Sequence, residues 1–208
     1  MNLLECLVAI ALSMLLLNPL RKTSANLVAK QIEYEKRQSL NSEAERAFEL
    51  IARAIRMAGY RNINSTQQRK PADQLIQVQK KSGYRGSDAL TVSHELSTGV
   101  DFDCIGNTLN QERTKNGLAR QGFLVDRQAG IAKGAKVNGG SLICQSLDRQ
   151  GRLQNTTLMN GVNSLFIDEI ATSEKSPTQR LYKVKLQMTD GASLNIDLER
   201  ILSTRNLP

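Results

Sequence analysis

The sequence has no tryptophan, one histidine and few aromatic residues, and these shortages limit what the chain can do. Phe, Trp and Tyr make up only 4% of its 208 residues, so we expect an aliphatic core. No Ser/His/Asp or Cys/His set can be completed with catalytic spacing around the single histidine, His94. A glycine-rich phosphate loop before a helix is also missing. We therefore predict that the chain is not an enzyme and uses no cofactor or metal.

Two polar features that could mark a site are better explained as ordinary structure. His94 lies in a strand-like run, where a packing or surface role is far more common than catalysis. Asp101 and Asp103 form a D-x-D pair, but the glycine and the later glutamate of a calcium loop are missing. We predict that both aspartates are loop acids.

Acidic residues are outnumbered, with 20 Asp and Glu against 28 Lys and Arg and a net charge of +8. Residues 1–60 contain eight basic and six acidic residues, so most of the excess lies downstream and is spread thinly. No basic cluster with interleaved aromatic residues accompanies it. The charge therefore favours a solvated surface, with nucleic acid as an alternative partner.

Only three cysteines are present, and they differ in context. Cys6 lies in an apolar segment, where it serves to fill space. Cys104 and Cys144 lie in the polar, strand-like region and could form one disulfide, which would indicate an oxidising compartment such as a bacterial periplasm. Metal binding is a poorer explanation, since neither has a second Cys or His at ligand spacing.

The amino-terminal segment is apolar except for one acid. Residues 1–20 hold fifteen apolar side chains and Glu5. At about 1.5 Å per residue, a helix of this length spans about 30 Å, enough to cross a bilayer core. A lone carboxylate is costly to bury there without a partner, and an amino terminus is the nearest candidate.

The flanking charges of this segment predict a processed terminus. Arg21 and Lys22 follow the segment and nothing basic precedes it, so the positive-inside rule would place them in the cytoplasm. A disulfide domain on that side would be reduced. The segment also lacks the basic n-region and the cleavage site of a signal peptide. The conflict disappears if a basic leader has been removed, and we therefore expect Met1 to be a processed terminus.

Helical periodicity continues from this segment to Gly59. From Leu40 onward the apolar residues form a stripe with a period of about 3.6 residues, wide enough to pack on a sheet. Pro19 predicts a kink or local melt, and Glu33–Arg37 and Glu49–Arg53 are favourable i,i+4 pairs. The stripe consists of Leu40, Ala44, Ala47, Phe48, Ile51, Ala52, Ile55 and Ala58.

Beyond Tyr60 the sequence breaks into short strand-like runs separated by Gly, Asn and Ser. The clearest is a hairpin from Val184 to Leu198, which turns at Asp190-Gly191. We predict an α+β fold with an apolar helical half at 1–20, an amphipathic half at 21–60 and a β-rich domain at 61–208.

Taken in order, these features resemble type IV pilin-like proteins, and most closely the PilW-type minor pilins. Mature members begin with a methylated residue, usually Phe, and carry Glu at the fifth position; Met1-Asn2-Leu3-Leu4-Glu5 is similar, with Met in place of Phe. Arg56-Met57-Ala58-Gly59-Tyr60, at the end of the helix, is a more specific similarity. Residues 87–92, 103–106, 141–144, 158–162 and 205–206 look like later segments of the family, including its paired cysteines.

The resemblance implies the type IV pilin fold, with a long N-terminal α-helix packed on an antiparallel β-sheet. It implies that prepilin peptidase processes the chain, that Met1 is N-methylated, and that Glu5 meets the terminal amine of a neighbouring subunit. It also implies a Cys104–Cys144 disulfide. The expected location is the inner membrane, single-pass with a periplasmic domain, and then the pilus at the cell surface. The expected partners are other minor pilins and the major pilin, in the initiation or tip complex of a type IV pilus that serves twitching motility or DNA uptake.

Three alternatives remain at this point. A J-type pseudopilin of type II secretion would share the fold and the Glu5 chemistry, and the prepilin-peptidase-dependent B proteins are further relatives of this class. An adhesin or DNA-binding tip module would use the basic excess. A plain membrane-anchored periplasmic protein would need neither leader peptidase nor Glu5.

Overall fold

The structure is a computed structural model that describes residues 3–66, 68, 70–128, 131, 139–170 and 179–208, with only the backbone of residues 15–20. It divides into two compact units, Met1–Ser39 and Leu40–Pro208. Helix α1 covers Leu3–Met57. The first unit is the part of this helix up to Ser39.

The helix is continuous through Pro19, so the local melt predicted there is wrong. The i,i+4 pair Glu33–Arg37 is present at 3.7 Å. Within the described part of the chain, no helix is both long and apolar enough to cross a membrane. Of the membrane segment predicted at residues 1–20, Met1, Asn2 and the side chains of 15–20 lie outside the described residues.

The helical residues of the second unit form one side of its hydrophobic core. The predicted stripe is confirmed, because its members from Ala44 to Ala58 are buried and Leu40 packs partly buried against them. Glu49–Arg53, the second predicted i,i+4 pair, does not occur among the ion pairs of the described residues. This helical face therefore contributes through apolar burial.

The rest of the second unit is a large antiparallel sheet. Seven strands pair in the order β1-β2-β5-β6-β7-β8-β9, and β3 and β4 form a separate two-stranded sheet. A short helix, α2 (Ala72–Leu75), precedes the first strand. The strands are β1 (Ile76–Gln79), β2 (Ala89–His94), β3 (Asp101–Phe102), β4 (Thr108–Leu109), β5 (Ala119–Arg127), β6 (Gly140–Leu147), β7 (Leu153–Ile170), β8 (Leu181–Thr189) and β9 (Asn195–Ser203). The protein is therefore α+β, with an N-terminal helix and a large antiparallel sheet.

The predicted closing hairpin is present as β8 and β9, but its loop is longer than a two-residue turn. Asp190 begins a connection in which its carboxylate accepts the N–H groups of Ala192, Ser193 and Leu194. A side chain that satisfies several backbone donors stabilises a wider loop.

The core beneath the sheet is mainly aliphatic, as predicted. Inward-facing residues such as Leu90, Val125, Leu142 and Leu186 share one cluster with the helical stripe. The few buried aromatic residues include Phe123 and Tyr182. This packing holds the carboxyl end of the helix against the end of β2.

Candidate functional site

The predicted assembly residues lie at the start of the helix. Glu5 is in the first turn of α1 and is exposed, within a segment whose described apolar side chains are also exposed. Met1, the predicted processed and methylated terminus, lies outside the described residues. Cys6 is exposed and not in a disulfide, so its predicted space-filling role is not seen in the isolated chain.

The predicted helix-end motif occupies the point where the chain leaves α1 and joins the sheet. Met57 is the last helical residue, and Ala58 is fully buried behind it. Gly59 has a φ of +74°, the left-handed conformation typical of a helix C-terminus. Its N–H donates to the carbonyl of Ser93 at 3.1 Å, and the N–H of Glu95 donates to the carbonyl of Tyr60 at 2.9 Å. The motif therefore fixes the helix end beside the end of β2.

The C-terminal residues close over the same motif. Asn206 Nδ2 donates to the carbonyl of Arg56 at 2.7 Å and satisfies one of the carbonyls at the helix end. A Cβ on Gly59 would lie 2.7 Å from the carbonyl oxygen of Asn206. Leu207 is buried next to it. The helix-end motif and residues 205–206, which are far apart in the sequence, are therefore structural partners.

Gly59→Ala should destabilise the second unit by about 2–4 kcal/mol, since the substitution adds a backbone clash to an unfavourable positive φ. Gly86→Ala is the matched control. Gly86 has the same φ of +74°, but a Cβ there meets nothing within 4 Å. We expect this control to lose only about 1 kcal/mol in urea unfolding. Equal losses would mean that the close approach of Asn206 carries no cost.

A cleft of about 610 Å³ opens beside the motif. It is lined by Gly59, Tyr60 and Leu75 and by the basic residues Arg61, Lys70 and Arg205. The acid in this cleft, Glu95, accepts bonds from the N–H of Asn62 and the hydroxyl of Ser65, both at 2.9 Å. The carboxylate of Glu95 therefore holds the residues that follow the helix in place.

The predicted disulfide is present between Cys104 and Cys144, with Cα atoms 6.1 Å apart. It ties the segment that contains β3 and β4 to the central strand β6. Asp103 organises the same segment, because its buried carboxylate accepts the N–H groups of Ile105 and Asn107 at 3.0 and 2.8 Å and pairs with Arg113. Asp103 is thus a loop acid, as predicted.

Asp101 was predicted to be a loop acid, but it lies in strand β3, and it lines a small pocket together with His94. The carboxylate of Asp101 accepts bonds from the N–H and the hydroxyl of Ser97. His94 is 1% exposed, as a packing role predicts, but its Nδ1 is buried with no hydrogen-bond partner. Burial lowers the pKa of His94, and the negative charge of Asp101 opposes that shift. The imidazole is therefore held neutral near pH 7.

The sequence did not predict a charged cluster that joins the end of β1 to β7. Asp88 is 2% exposed and accepts the N–H groups of Lys81 and Ile167 and the ammonium of Lys80. Lys80 also pairs with Asp168 at 2.6 Å. Lys80 and Lys81 precede Asp88 by only eight and seven residues, but Ile167 lies 79 residues from Asp88, and no local motif signals that these residues meet.

Among the described residues, no group of three or more His, Cys, Asp and Glu side chains could hold a metal ion. The comparisons with family models, with curated proteins and with solved structures found no significant match to this chain.

Proposed function

We propose that the chain is a PilW-type minor pilin that enters the initiation or tip complex of a type IV pilus. The observation that carries the proposal is the exposed apolar surface at the start of α1. Seven of its large apolar side chains are each more than half exposed: Leu3, Leu4, Leu7, Val8, Ile10, Leu12 and Met14. Such a surface must be covered by lipid or by other subunits.

The fold is compatible with this role. A helix followed by a large antiparallel sheet is the coarse arrangement of a pilin, and the type IV pilin fold is our finer proposal. The Cys104–Cys144 disulfide is consistent with an oxidising compartment. We place the subunit in the inner membrane as a single-pass protein with a periplasmic domain, before its transfer to the pilus.

In this proposal Glu5 is the assembly residue. Its carboxylate would pair with the terminal amine of a neighbouring pilin, after prepilin peptidase has processed and methylated Met1. Two opposite charges that are buried together relieve each other's desolvation, while either alone would be penalised. Such a pair sets the register between subunits more than it adds stability. The partners would be the other minor pilins and the major pilin, and the role is structural, not enzymatic.

Glu5→Ala tests this role. We expect membrane insertion to be unchanged and incorporation into sheared pili to fall at least about tenfold, because an unpaired terminal amine would then be buried in the filament. Immunoblots of the membrane and sheared-pilus fractions measure both quantities. Glu43→Ala is the matched control, since Glu43 is an exposed glutamate of the same helix outside the apolar segment.

Normal pilus incorporation of Glu5→Ala would contradict the assembly role. Deletion of the gene separates the minor pilin from the J-type pseudopilin. Loss of pili, twitching or transformation supports the minor pilin, and loss of type II secretion with normal pili supports the J-type pseudopilin. A DNA-binding tip module would show DNA affinity that falls steeply with salt.

A further inference from the structure

The pocket around His94 has a polar lining that the pilus proposal leaves unused. It measures about 170 Å³ and lies within the second unit. Four elements build it: Arg53 comes from α1, His94 from β2, Asp101 and Phe102 from β3, and Gln121 from β5. The core holds α1, β2 and β5 in place, and the Cys104–Cys144 disulfide holds the segment that contains β3. The pocket is therefore a preformed feature of the fold.

The first sign of a ligand is the imidazole itself. His94 is 1% exposed, and its Nδ1 has no hydrogen-bond partner. Buried polar atoms are nearly always paired, because leaving one unpaired forfeits its hydration. His94 is also one of the residues that line the pocket, so a group that enters the pocket from outside the chain lies beside this ring.

The second sign is which of the other polar side chains in the pocket already have a hydrogen-bond or ion-pair partner. Asp101 is already occupied by the N–H and hydroxyl of Ser97, and the Gln121 amide donates to the carbonyl of Phe102 at 3.2 Å. Arg53 is exposed and forms no ion pair with any described residue. The polar groups left for a ligand are therefore a guanidinium and an imidazole.

We propose that this pocket binds a carboxylate through Arg53 and His94. A guanidinium binds a carboxylate in a bidentate manner, and a ring N–H adds a charge-assisted bond. The pocket volume of about 170 Å³ leaves room for a carboxylate with a short apolar stem. The stem would contact Met57 and the exposed rim residues Val100 and Phe102.

The carboxylate can come from a free small acid or from the acidic side chain of a partner protein. Both present the same group at the end of a short apolar stem. The inference is independent of the pilus proposal, because no pocket residue belongs to the first unit.

When a carboxylate binds, the imidazole of His94 should also take up a proton. The charged groups that line the pocket with His94 are Arg53 from α1 and Asp101 from β3, while Gln121 from β5 is neutral. A bound anion favours the imidazolium and so raises the pKa of His94 from its lowered value. The affinity should therefore increase as the pH falls towards the pKa of His94 in the free protein, which lies below its ordinary value of 6.5.

The test is imidazole NMR on the full chain in detergent, where His94 is the single histidine and its signals need no assignment. Sodium acetate and N-acetyl-glutamate amide are titrated at constant ionic strength against sodium chloride. We expect a saturable shift and a raised pKa of His94 with the carboxylates only. Shifts that match those of chloride would overturn the proposal.

Two arginine variants on helix α1 test whether Arg53 contributes to carboxylate binding. Arg53→Ala should weaken carboxylate binding at least about tenfold, the loss of one charge-assisted pair. Arg46→Ala should leave binding unchanged, since Arg46 is exposed on α1 but does not line the pocket. Because both arginines are exposed, we expect both variants to fold. Equal affinities of the two variants would overturn the assignment of Arg53.

The two probes separate the sources of the carboxylate. Tighter binding of the blocked glutamate supports a site for a partner's acidic side chain, and acetate that binds equally well or better supports a site for a free acid. The His94→Gln variant, measured by calorimetry with the same probes, should lose the proton uptake that accompanies binding. Proton uptake that persists in this variant would exclude His94 as the linked group.

Discussion

Asp88→Asn should lower the free energy of unfolding by roughly 2–4 kcal/mol, one of the largest effects expected from a single substitution in this chain. The carboxylate of Asp88 is almost fully buried and accepts three hydrogen bonds, from Lys80, Lys81 and Ile167. Through these bonds it joins the end of β1 to β7. An asparagine has one acceptor oxygen, so at least one buried donor would lose its partner. Urea unfolding followed by the fluorescence of tyrosine, with Tyr182 buried on β8, measures the loss.

Asp168→Asn is the matched control for this prediction. Asp168 pairs with the same ammonium of Lys80, but its side chain is 62% exposed. Exposed ion pairs contribute little, so we expect a loss below about 1 kcal/mol. If the two variants lost equal stability, the burial of Asp88 would not be the source of its effect.

The contribution of Asp88 should also depend on pH. Burial alone would raise its pKa, but the N–H groups of Ile167 and Lys81 and the charge of Lys80 outweigh burial and hold the pKa below its ordinary value of 3.8. A lowered folded-state pKa means stability that is present above the pKa of the unfolded chain and lost as the pH falls through the folded-state value. The difference between the wild type and Asp88→Asn should be constant from about pH 5 to 7 and shrink below about pH 4.

The parts of the fold that sequence could predict are those with long periodic signals. The helical stripe from Leu40 to Ala58 has the α-helical period over several turns, and the residues from Val184 to Leu198 alternate on both sides of a polar turn. Both are present. The short strands β3 and β4 fall where no pattern is visible, because two residues cannot show an alternation. The strands of the large sheet pair in chain order, but β3 and β4 are left out of this sheet, and no local signal marks that exclusion.

The candidate site likewise contains parts that the sequence could predict and a part that it could not. The disulfide could be predicted because two cysteines in strand-like segments have few other uses. The glycine of the helix-end motif could be recognised because glycine readily adopts the left-handed conformation that ends a helix. The pocket around His94 could not be predicted, since its lining residues come from four elements that only the folded chain brings together. His94 was predicted to have an ordinary packing or surface role, because an unpaired nitrogen cannot be seen in a sequence pattern.

Replacing both Cys104 and Cys144 with alanine should lower the free energy of unfolding by roughly 2–4 kcal/mol. The disulfide closes a loop of 40 residues, for which the chain-entropy model gives about 4 kcal/mol as an upper value. The segment that contains β3 and β4 has few strand bonds of its own, since each of these strands is two residues long. Hydrogen exchange of its backbone should therefore accelerate more than exchange in β5 and β6.

Cys6→Ala is the control for this double variant, since Cys6 is exposed and outside the disulfide. It should change neither the free energy of unfolding nor the rate of hydrogen exchange.

Loss of the disulfide should also change the pKa of His94. The freed segment would carry Asp101 and Phe102 away from the pocket, which would expose His94 to water. Because burial is the main cause of the lowered pKa of His94, we expect that pKa to return towards 6.5 in the double variant. An unchanged pKa of His94 together with unchanged hydrogen exchange would contradict this prediction. It would show that the hydrogen bonds of Asp103 hold the segment without the disulfide. The disulfide would then stabilise the protein only through its effect on the unfolded chain.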